Sequence, residues 1–187
     1  MSGPAALLQP RRTLYRVVRR SWADPLDARF SRQQTSNRWN TPDFAALYCC
    51  LSEKVARAVT LDLFRLAGLE LADLRPEVRP QLVAIEWEGR CVDMCMTESI
   101  TAAGFPPDYP AGVGVAATQR AAAQWRESGF EGVLCRSASL ARLGFDHWIP
   151  PHERWSEAAI FVETASTPPR LLARRDDFDW FVLTQSA

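Results

Sequence analysis

Residues 45–68 read AALYCCLSEKVARAVTLDLFRLAG, and they carry the clearest structural signal in the chain. The first part, from Ala45 to Leu51, is an unbroken apolar run, which predicts a buried strand. Ser52 follows as a good helix N-cap, and Glu53 is favourable in a first helical turn. Apolar residues then recur at helical spacing up to Gly68, which ends the helix. We therefore expect a buried strand that leads directly into a helix.

The segment before this unit is predicted to contain one strand and one long loop. Leu14 to Val18 is short, rich in β-branched residues and bounded by charges, so it predicts a strand. Residues 19–37 are polar and aperiodic, and they predict an ordered loop of a length that often carries function. Residues 1–12 lack such patterns and are predicted to form a flexible N-terminal tail. Residues 13–187 are then one folded domain.

The segment after the helix mixes strand and helix patterns without strict alternation. Strands are predicted at Leu82–Trp87, Cys91–Met94, Gly132–Cys135, Ala158–Glu163 and Leu171–Ala173, with helices at Thr97–Ala103 and Thr118–Ser128. Glu88–Gly89 predicts a turn, and residues 104–114 and 141–156 predict loops. Asp176 to Leu183 fits either a strand or a docked tail. This order predicts an α+β single domain with a mixed sheet flanked by helices.

Composition places the chain among ordinary globular proteins. It has 22 basic and 22 acidic residues in 187, and 47% of its residues are hydrophobic. A net charge of zero provides no global attraction to nucleic acid or to an anionic membrane. Lys54 is the only lysine, so nearly every cation is an arginine. A GC-rich genome explains most of this bias, but a guanidinium also binds phosphate or carboxylate bidentately, as lysine cannot.

Several functional classes are disfavoured by the motifs the sequence lacks. It has no G-x-G-x-x-G motif of dinucleotide-binding folds and no P-loop, and it has no nucleophile-elbow or zinc-protease motif. Five cysteines without a C-x-x-C pair, and only His147 and His152, do not favour a metal site. No apolar run reaches the ~20 residues of a membrane helix. We expect a cytoplasmic protein with reduced cysteines and no membrane or direct nucleic-acid contact.

Four short segments, taken in order, form a pattern that covers most of the chain. The first is Tyr15–Arg16, and the second is Asn37-Arg38-Trp39-Asn40 followed by Tyr48. The third is the helix that begins after Ser52. The fourth contains Thr118, Gln119 and Trp125, then GFEGVLCRSA at residues 129–138. Each motif alone is weak, but in their order and spacing over residues 13–163 they resemble the RES domain family of bacterial toxins.

The resemblance implies a fold and an activity. Family members are similar in fold to ADP-ribosyltransferase toxins, and they consume NAD⁺ by hydrolysis, phosphorolysis or ADP-ribosyl transfer. A helix-turn-helix antitoxin of the Xre type usually neutralises them. The resemblance therefore implies that NAD⁺ is the substrate, that no metal is needed, and that an antitoxin is the partner.

The same resemblance suggests site residues. Cleavage of the nicotinamide–ribose bond builds positive charge on the ribose, so the site needs a pyrophosphate clamp, a planar surface and an anionic or polar group. The candidate residues for binding NAD⁺ are Tyr15, Arg16, Arg38, Tyr48, Gln119 and Ser137, and those for catalysis are Arg38, Tyr48, Ser137 and Asp62. Five of them have a structural alternative: Arg16 paired with a carboxylate, Arg38 on the surface and stacked on Trp39, Tyr48 in the core, Ser137 as a helix cap, and Gln119 on the surface.

One position departs from the family pattern in a way that bears on activity. The family glutamate usually follows the strand tyrosine by eleven residues, and counting from Tyr48 reaches Val59. Valine cannot stabilise an oxocarbenium ion. Asp62 lies one helical turn further along the same face and is the candidate replacement. The family also prefers glycine at Asn37 and proline at Arg136.

Three interpretations follow from this departure. The chain is an active NAD⁺-consuming toxin with a rearranged acidic residue, or a RES-like domain that binds NAD or a related nucleotide but is catalytically impaired. The third is a protein-interaction domain whose arginines serve a partner surface. We favour the first, because two arginines and a serine keep their order in the chain.

Overall fold

The structure is a computed structural model that describes residues 6–70, 73–144 and 156–176. Its strands are β1 (Ala6–Val18), β2 (Ala46–Cys50), β3 (Gln81–Met94), β4 (Gly132–Arg136), β5 (Ser156–Phe161) and β6 (Arg170–Arg175). Its helices are α1 (Glu53–Leu66), α2 (Thr97–Ala102), α3 (Val115–Glu127) and α4 (Ala138–Arg142). Short 3₁₀ helices at Arg29–Gln33 and Pro76–Val78 lie in the connections.

The six strands form one sheet in the order β1-β2-β5-β4-β3-β6. β3 and β4 run parallel, and the other pairs are antiparallel. β1 also pairs with β3, so the strands β1, β2, β5, β4 and β3 form a closed ring. β6 pairs with the first half of β3. The predicted α+β single domain with a mixed sheet flanked by helices is confirmed.

β1 begins at Ala6, well before the predicted start at Leu14. Its register against β3 shifts between Gln9 and Arg12, on either side of Pro10. Proline has no backbone N–H to donate, so in a sheet it is confined to edges, strand starts and bulges. The proline interrupts the strand pattern in the sequence, yet residues 6–12 of the predicted tail belong to the sheet.

The turn predicted at Glu88–Gly89 does not form, because β3 continues through it to Met94. Position 89 has no room for a side chain, so only glycine fits there. A Cβ on Gly89 would lie 2.3 Å from the Trp87 ring and 2.5 Å from a carboxylate oxygen of Glu131. A glycine inside a strand often marks such a close approach, so the turn prediction was wrong.

The predicted strand–helix unit of residues 45–68 is confirmed. The Ser52 hydroxyl caps α1 by accepting the backbone N–H of Val55 at 3.2 Å, and Gly68 follows the helix with a φ of 68°. Gly129 ends α3 in the same way, with a φ of 80°. α4 is an addition to the predicted elements, and the hydroxyl of Ser137 caps it.

Both faces of the sheet are buried. One face carries a cluster of mainly aliphatic side chains and one tryptophan, including Leu14, Leu47, Ile85, Trp87 and Ile160. The other face is covered in two parts. α2 and α3 lie over a cluster that includes Trp39, Met94, Ile100, Trp125 and Phe161. α1 and α4 lie over a second one that includes Cys50, Val55, Ala58, Leu82 and Leu140.

Some predictions fall outside the described residues. These are His147 and His152, most of the loop at 141–156, and the Asp176–Leu183 segment beyond its first residue. Across the residues that the structure does describe, no helix is both long enough and apolar enough to span a membrane. All five cysteines lie within those residues; each is buried and has a free thiol.

Candidate functional site

The Asn37-Arg38-Trp39-Asn40 segment is fixed to the body of the fold by its own side chains. Trp39 is buried, and its indole N–H donates to the sulfur of Cys135 on β4 at 3.2 Å. The side-chain amide of Asn40 donates to the carbonyl of Ser31 at 2.8 Å. These contacts hold the segment against the sheet, so the orientation of Arg38 is set by its neighbours on both sides.

Two predicted site residues complete this anchoring. The Tyr48 hydroxyl on β2 accepts the backbone N–H of Trp39 and donates to the side-chain oxygen of Asn40, both at 2.9 Å. Burial raises the pKa of Tyr48, so its hydroxyl stays protonated. Gln119 on α3 donates its amide to the carbonyls of Asn37 and Thr35 at 2.8 and 3.2 Å. Tyr48 and Gln119 therefore position the segment that carries Arg38.

The Arg38 guanidinium lies within a group of side chains that we call the Arg38 cluster: Arg38, Tyr48, Tyr109, Cys135 and Glu157. Nη1 of Arg38 donates to the Tyr109 hydroxyl at 2.8 Å, and Nη2 lies 3.7 Å from Oε2 of Glu157. Burial disfavours the charged form of Arg38, but Tyr109, Cys135 and Glu157 together raise its pKa above the usual arginine value. The side chains of Arg38 and Glu157 are 19% and 15% exposed, so solvent reaches the cluster at the ion pair.

Glu157 and Tyr109 are members of the cluster that the sequence did not single out. Glu157 stands between the loop predicted at 141–156 and the strand predicted at Ala158–Glu163. Tyr109 lies in the predicted loop of residues 104–114 and is fully buried. Two features of the sequence could have pointed to them. Tyr109 is an aromatic residue inside a proline- and glycine-rich loop, and Glu157 is a carboxylate at the start of an apolar strand.

Tyr15 lies on the same face of the sheet as Glu157. In the strand register, Tyr15 of β1 is opposite Cys50 of β2, and Cys50 is opposite Glu157 of β5. Directly opposed residues of paired strands present their side chains on one face. Burial and the nearby carboxylate of Glu53 raise the pKa of Tyr15. Tyr15 thus belongs to the sheet row that contains Glu157.

Arg16 is not brought together with Arg38. Strand alternation places Arg16 on the face opposite to Tyr15, where its neighbours Leu14 and Val18 join the first cluster. Its Nη1 donates to the carbonyl of Tyr48 at 3.1 Å, and its guanidinium lies 5.8 Å from the ring centre of Trp22. Burial lowers the pKa of Arg16. Arg16 and Arg38, both candidates for binding NAD⁺, are therefore not brought together in this structure.

Ser137 and Arg136 act at the end of β4. The fully buried Ser137 hydroxyl accepts the backbone N–H of Leu140 at 3.3 Å, which is the helix-cap alternative. The Arg136 guanidinium donates to the carbonyls of Cys95 and Pro107, both at 2.9 Å. It also reaches the carbonyl of Tyr109 at 3.3 Å, so it supports the loop that supplies Tyr109 to the Arg38 cluster.

Asp62 is held by arginines of two helices. Its carboxylate is fully buried and accepts from Arg142 of α4 at 2.6 and 2.9 Å, and from Arg65 at 3.1 Å. These hydrogen bonds outweigh the effect of burial and lower the pKa of Asp62. Val59 packs against the apolar cluster under α1 and α4. Asp62 therefore joins α1 to α4, and Val59 adds to the core beside it.

The cluster combines groups that suit an anionic, sugar-containing ligand. A permanently charged guanidinium that solvent reaches can bind phosphate oxygens, a tyrosine ring offers a planar surface, and a carboxylate stabilises nearby positive charge. The described residues contain no group of three or more His, Cys, Asp or Glu side chains that could hold a metal ion.

Comparison with known proteins agrees with this architecture. No curated protein sequence matches the chain. Among solved structures, it resembles a chain in the crystal structure of the M. tuberculosis MbcT–MbcA toxin–antitoxin complex, with a TM-score of 0.72 and 18% sequence identity. The match covers 90% of this chain and 85% of that chain, and at this identity it shows a shared fold. The model of the RES domain family matches residues 13–147. The chain therefore belongs to the RES domain family.

Proposed function

We propose that this protein is the toxin of a toxin–antitoxin pair, and that it binds NAD⁺ and cleaves the bond between nicotinamide and ribose. Family membership and the fold shared with a chain of a toxin–antitoxin complex support the first part. The observation that carries the second part is the environment of Arg38, a charged group fixed beside a carboxylate and still open to solvent.

Arg38 is suited to bind a phosphate oxygen of the dinucleotide. Its Nη1 is occupied by the Tyr109 hydroxyl, which fixes the plane of the guanidinium. Its Nη2 lies 3.7 Å from Glu157, which is longer than an ordinary hydrogen bond. A phosphate oxygen can therefore take a short, charge-assisted hydrogen bond from Nη2 without displacing the bond to Tyr109.

Tyr48 is suited to contact the ligand through its ring. Its hydroxyl already donates to Asn40 and accepts from Trp39, so it has no remaining proton for a ribose hydroxyl. The ring is half-buried, and an aromatic face can stack on nicotinamide or ribose. We therefore propose that Tyr48 stacks on the ligand and does not hydrogen-bond to it.

The reaction transfers ADP-ribose from nicotinamide to an acceptor. The bond between ribose C1′ and the nicotinamide ring nitrogen breaks, and its electron pair neutralises the pyridinium charge of the leaving group. The oxygen of water, phosphate or a protein side chain forms the new bond to C1′, and an acceptor that carries a proton releases it to solvent. The protein contributes positioning and stabilisation of the charge that develops on the ribose.

A second candidate is a domain that binds NAD or a related nucleotide without cleaving it. The observation in its favour is Val59, which occupies the position of the family glutamate and packs in an apolar cluster. Loss of one acidic group can remove orders of magnitude of rate while binding persists. Calorimetry separates the candidates, since this one predicts NAD⁺ affinity without release of nicotinamide.

Measurements of growth and of the NAD⁺ concentration in a bacterial host test whether the protein is a toxin that consumes NAD⁺. Induced expression of the chain is expected to stop growth and to lower the cellular NAD⁺ concentration within the same interval. Co-expression of the antitoxin, for which the family resemblance predicts a short helix-turn-helix protein, is expected to restore both and to co-purify with the chain. Normal growth with an unchanged NAD⁺ pool at confirmed expression would contradict the proposal.

A further inference from the structure

Glu157 is a charged residue within a row of uncharged side chains. The strand register places Tyr15, Cys50, Glu157, Cys135 and Met94 opposite one another across β1, β2, β5, β4 and β3. They therefore share one face of the sheet. Burying a carboxylate costs free energy unless partners compensate it. A glutamate at this place therefore calls for a partner or a ligand.

The protein provides only part of that compensation. Oε2 of Glu157 lies 3.7 Å from Nη2 of Arg38, an ion-pair distance without a hydrogen bond. Oε1 is buried, and no described residue donates to it. Buried polar atoms are nearly always hydrogen-bonded, so an unsatisfied carboxylate oxygen beside a solvent-reachable arginine has capacity for a ligand.

The acidic side chains of α1 are already bound by arginines, so they are less available to a ligand than Glu157. Glu53 is bound by Arg175 of β6 at 2.5 Å. Asp62 is bound by Arg142 and Arg65. Of the acidic side chains that the structure describes, Glu157 is the one with a buried oxygen that lacks a donor. α1 carries Val59 at the position where the family has a glutamate. The Glu157 carboxylate on β5 can supply the missing negative charge.

We infer that Glu157 is the catalytic carboxylate of this protein and faces the ribose of NAD⁺, a role that rests on the proposed function. As the C1′–nitrogen bond breaks, its electron pair leaves with nicotinamide and positive charge develops on C1′ and the ring oxygen. The Glu157 carboxylate stabilises that charge without changing its own covalent state. An acceptor hydroxyl then bonds to C1′, and its proton passes to solvent. Arg38 holds the phosphate side of the same ligand.

The test compares Glu157→Gln with Glu163→Gln, a matched control. Glu163 lies beyond the end of β5, accepts the backbone N–H of Ala45, and pairs with Arg32 rather than Arg38. Release of nicotinamide is measured over a range of NAD⁺ concentrations, with thermal unfolding to verify the fold. We expect Glu157→Gln to lower kcat by at least roughly 100-fold with KM within about threefold, and Glu163→Gln to match the wild type.

A second variant keeps the test decisive if Glu157→Gln does not fold. Glu157→Asp retains the charge but withdraws it by one methylene, so kcat should fall below the wild type with little change in KM. An unchanged kcat in Glu157→Gln, or in Glu157→Asp if only that variant folds, would overturn this inference alone. Absence of nicotinamide release by the wild type would overturn the cleavage activity and this role with it.

Discussion

Arg38 and Glu157 face each other at 3.7 Å, one from the loop before β2 and the other from β5. They are far apart in the chain, and the Tyr109 hydroxyl fixes the arginine in place. The second oxygen of Glu157 has no donor among the described residues. We propose that the ligand binds at this ion pair, because each partner can still contact a ligand group of the opposite charge.

Replacing Arg38 with lysine tests whether the planar guanidinium is needed. Arg38→Lys keeps the charge but cannot reach Tyr109 and a phosphate oxygen at once, so NAD⁺ affinity should fall by at least roughly tenfold. Isothermal titration calorimetry measures the affinity. Arg29→Lys is the control, since Arg29 is largely exposed and pairs with Asp27 on the surface. Equal affinity of Arg38→Lys and wild type would remove Arg38 from the ligand site.

Asp62 makes a prediction about stability and its pH dependence. Asp62→Asn removes a buried charge that two half-exposed arginines bind, and should lower the free energy of unfolding by about 2 kcal/mol at pH 7. Because the folded protein lowers the pKa of Asp62, the stabilisation is fully present above about pH 4, the unfolded value, and is lost as pH falls through the lowered folded pKa.

Urea unfolding at a series of pH values measures this difference. The gap in unfolding free energy between wild type and Asp62→Asn should be constant near neutral pH and should narrow below pH 4. A gap that widens on acidification would contradict the ion pair between α1 and α4. Nicotinamide release at neutral pH should be the same in both proteins at temperatures where both are folded.

The two capping serines separate stability from activity. Ser137→Ala and Ser52→Ala each remove a hydroxyl that accepts a backbone N–H at a helix start, so each should cost about 1 kcal/mol, or roughly 3 °C in Tm. The resemblance also assigns Ser137 to the ligand, so nicotinamide release should fall in Ser137→Ala beyond the Ser52→Ala control. Equal release by the two variants would leave Ser137 with its capping role alone.

The thiols should be inert in the folded protein. All five cysteines are buried, and burial raises the pKa of Cys49 and Cys91 to about 12 and that of Cys135 to about 11. The thiolate is the reactive form, so a thiol reagent at pH 8 should label the native protein very slowly and all five residues after denaturation. Rapid labelling of Cys135 in the native protein would contradict the burial of its thiol.

The strand–helix unit could be predicted because its signals are local. An apolar run, a serine cap and a terminal glycine within residues 45–68 specify β2 and α1 by themselves. Pro10 and Gly89 misled the prediction for a physical reason. Both residues usually interrupt strands, but here one sits at a register shift and the other fits against the Trp87 ring.

The site could be predicted only in part. Arg38 and Tyr48 were found because they belong to one short motif. Tyr109 and Glu157 lie in distant segments and meet Arg38 only through the folding of the sheet and its loops. The side on which Arg16 lies depends on the register of β1, because a shift of one residue changes the face. That register is set by β3, far along the chain.

If the Arg38 cluster cleaves NAD⁺, as we propose, the purified protein must release free nicotinamide. Wild-type protein incubated with NAD⁺ should release nicotinamide in proportion to time and protein concentration, and Arg38→Lys and Glu157→Gln should release far less. No release by folded wild-type protein, in the presence of water, phosphate and candidate protein acceptors, would contradict the proposed cleavage. Measurable NAD⁺ affinity in that case would indicate a nucleotide-binding domain, and no affinity an interaction domain.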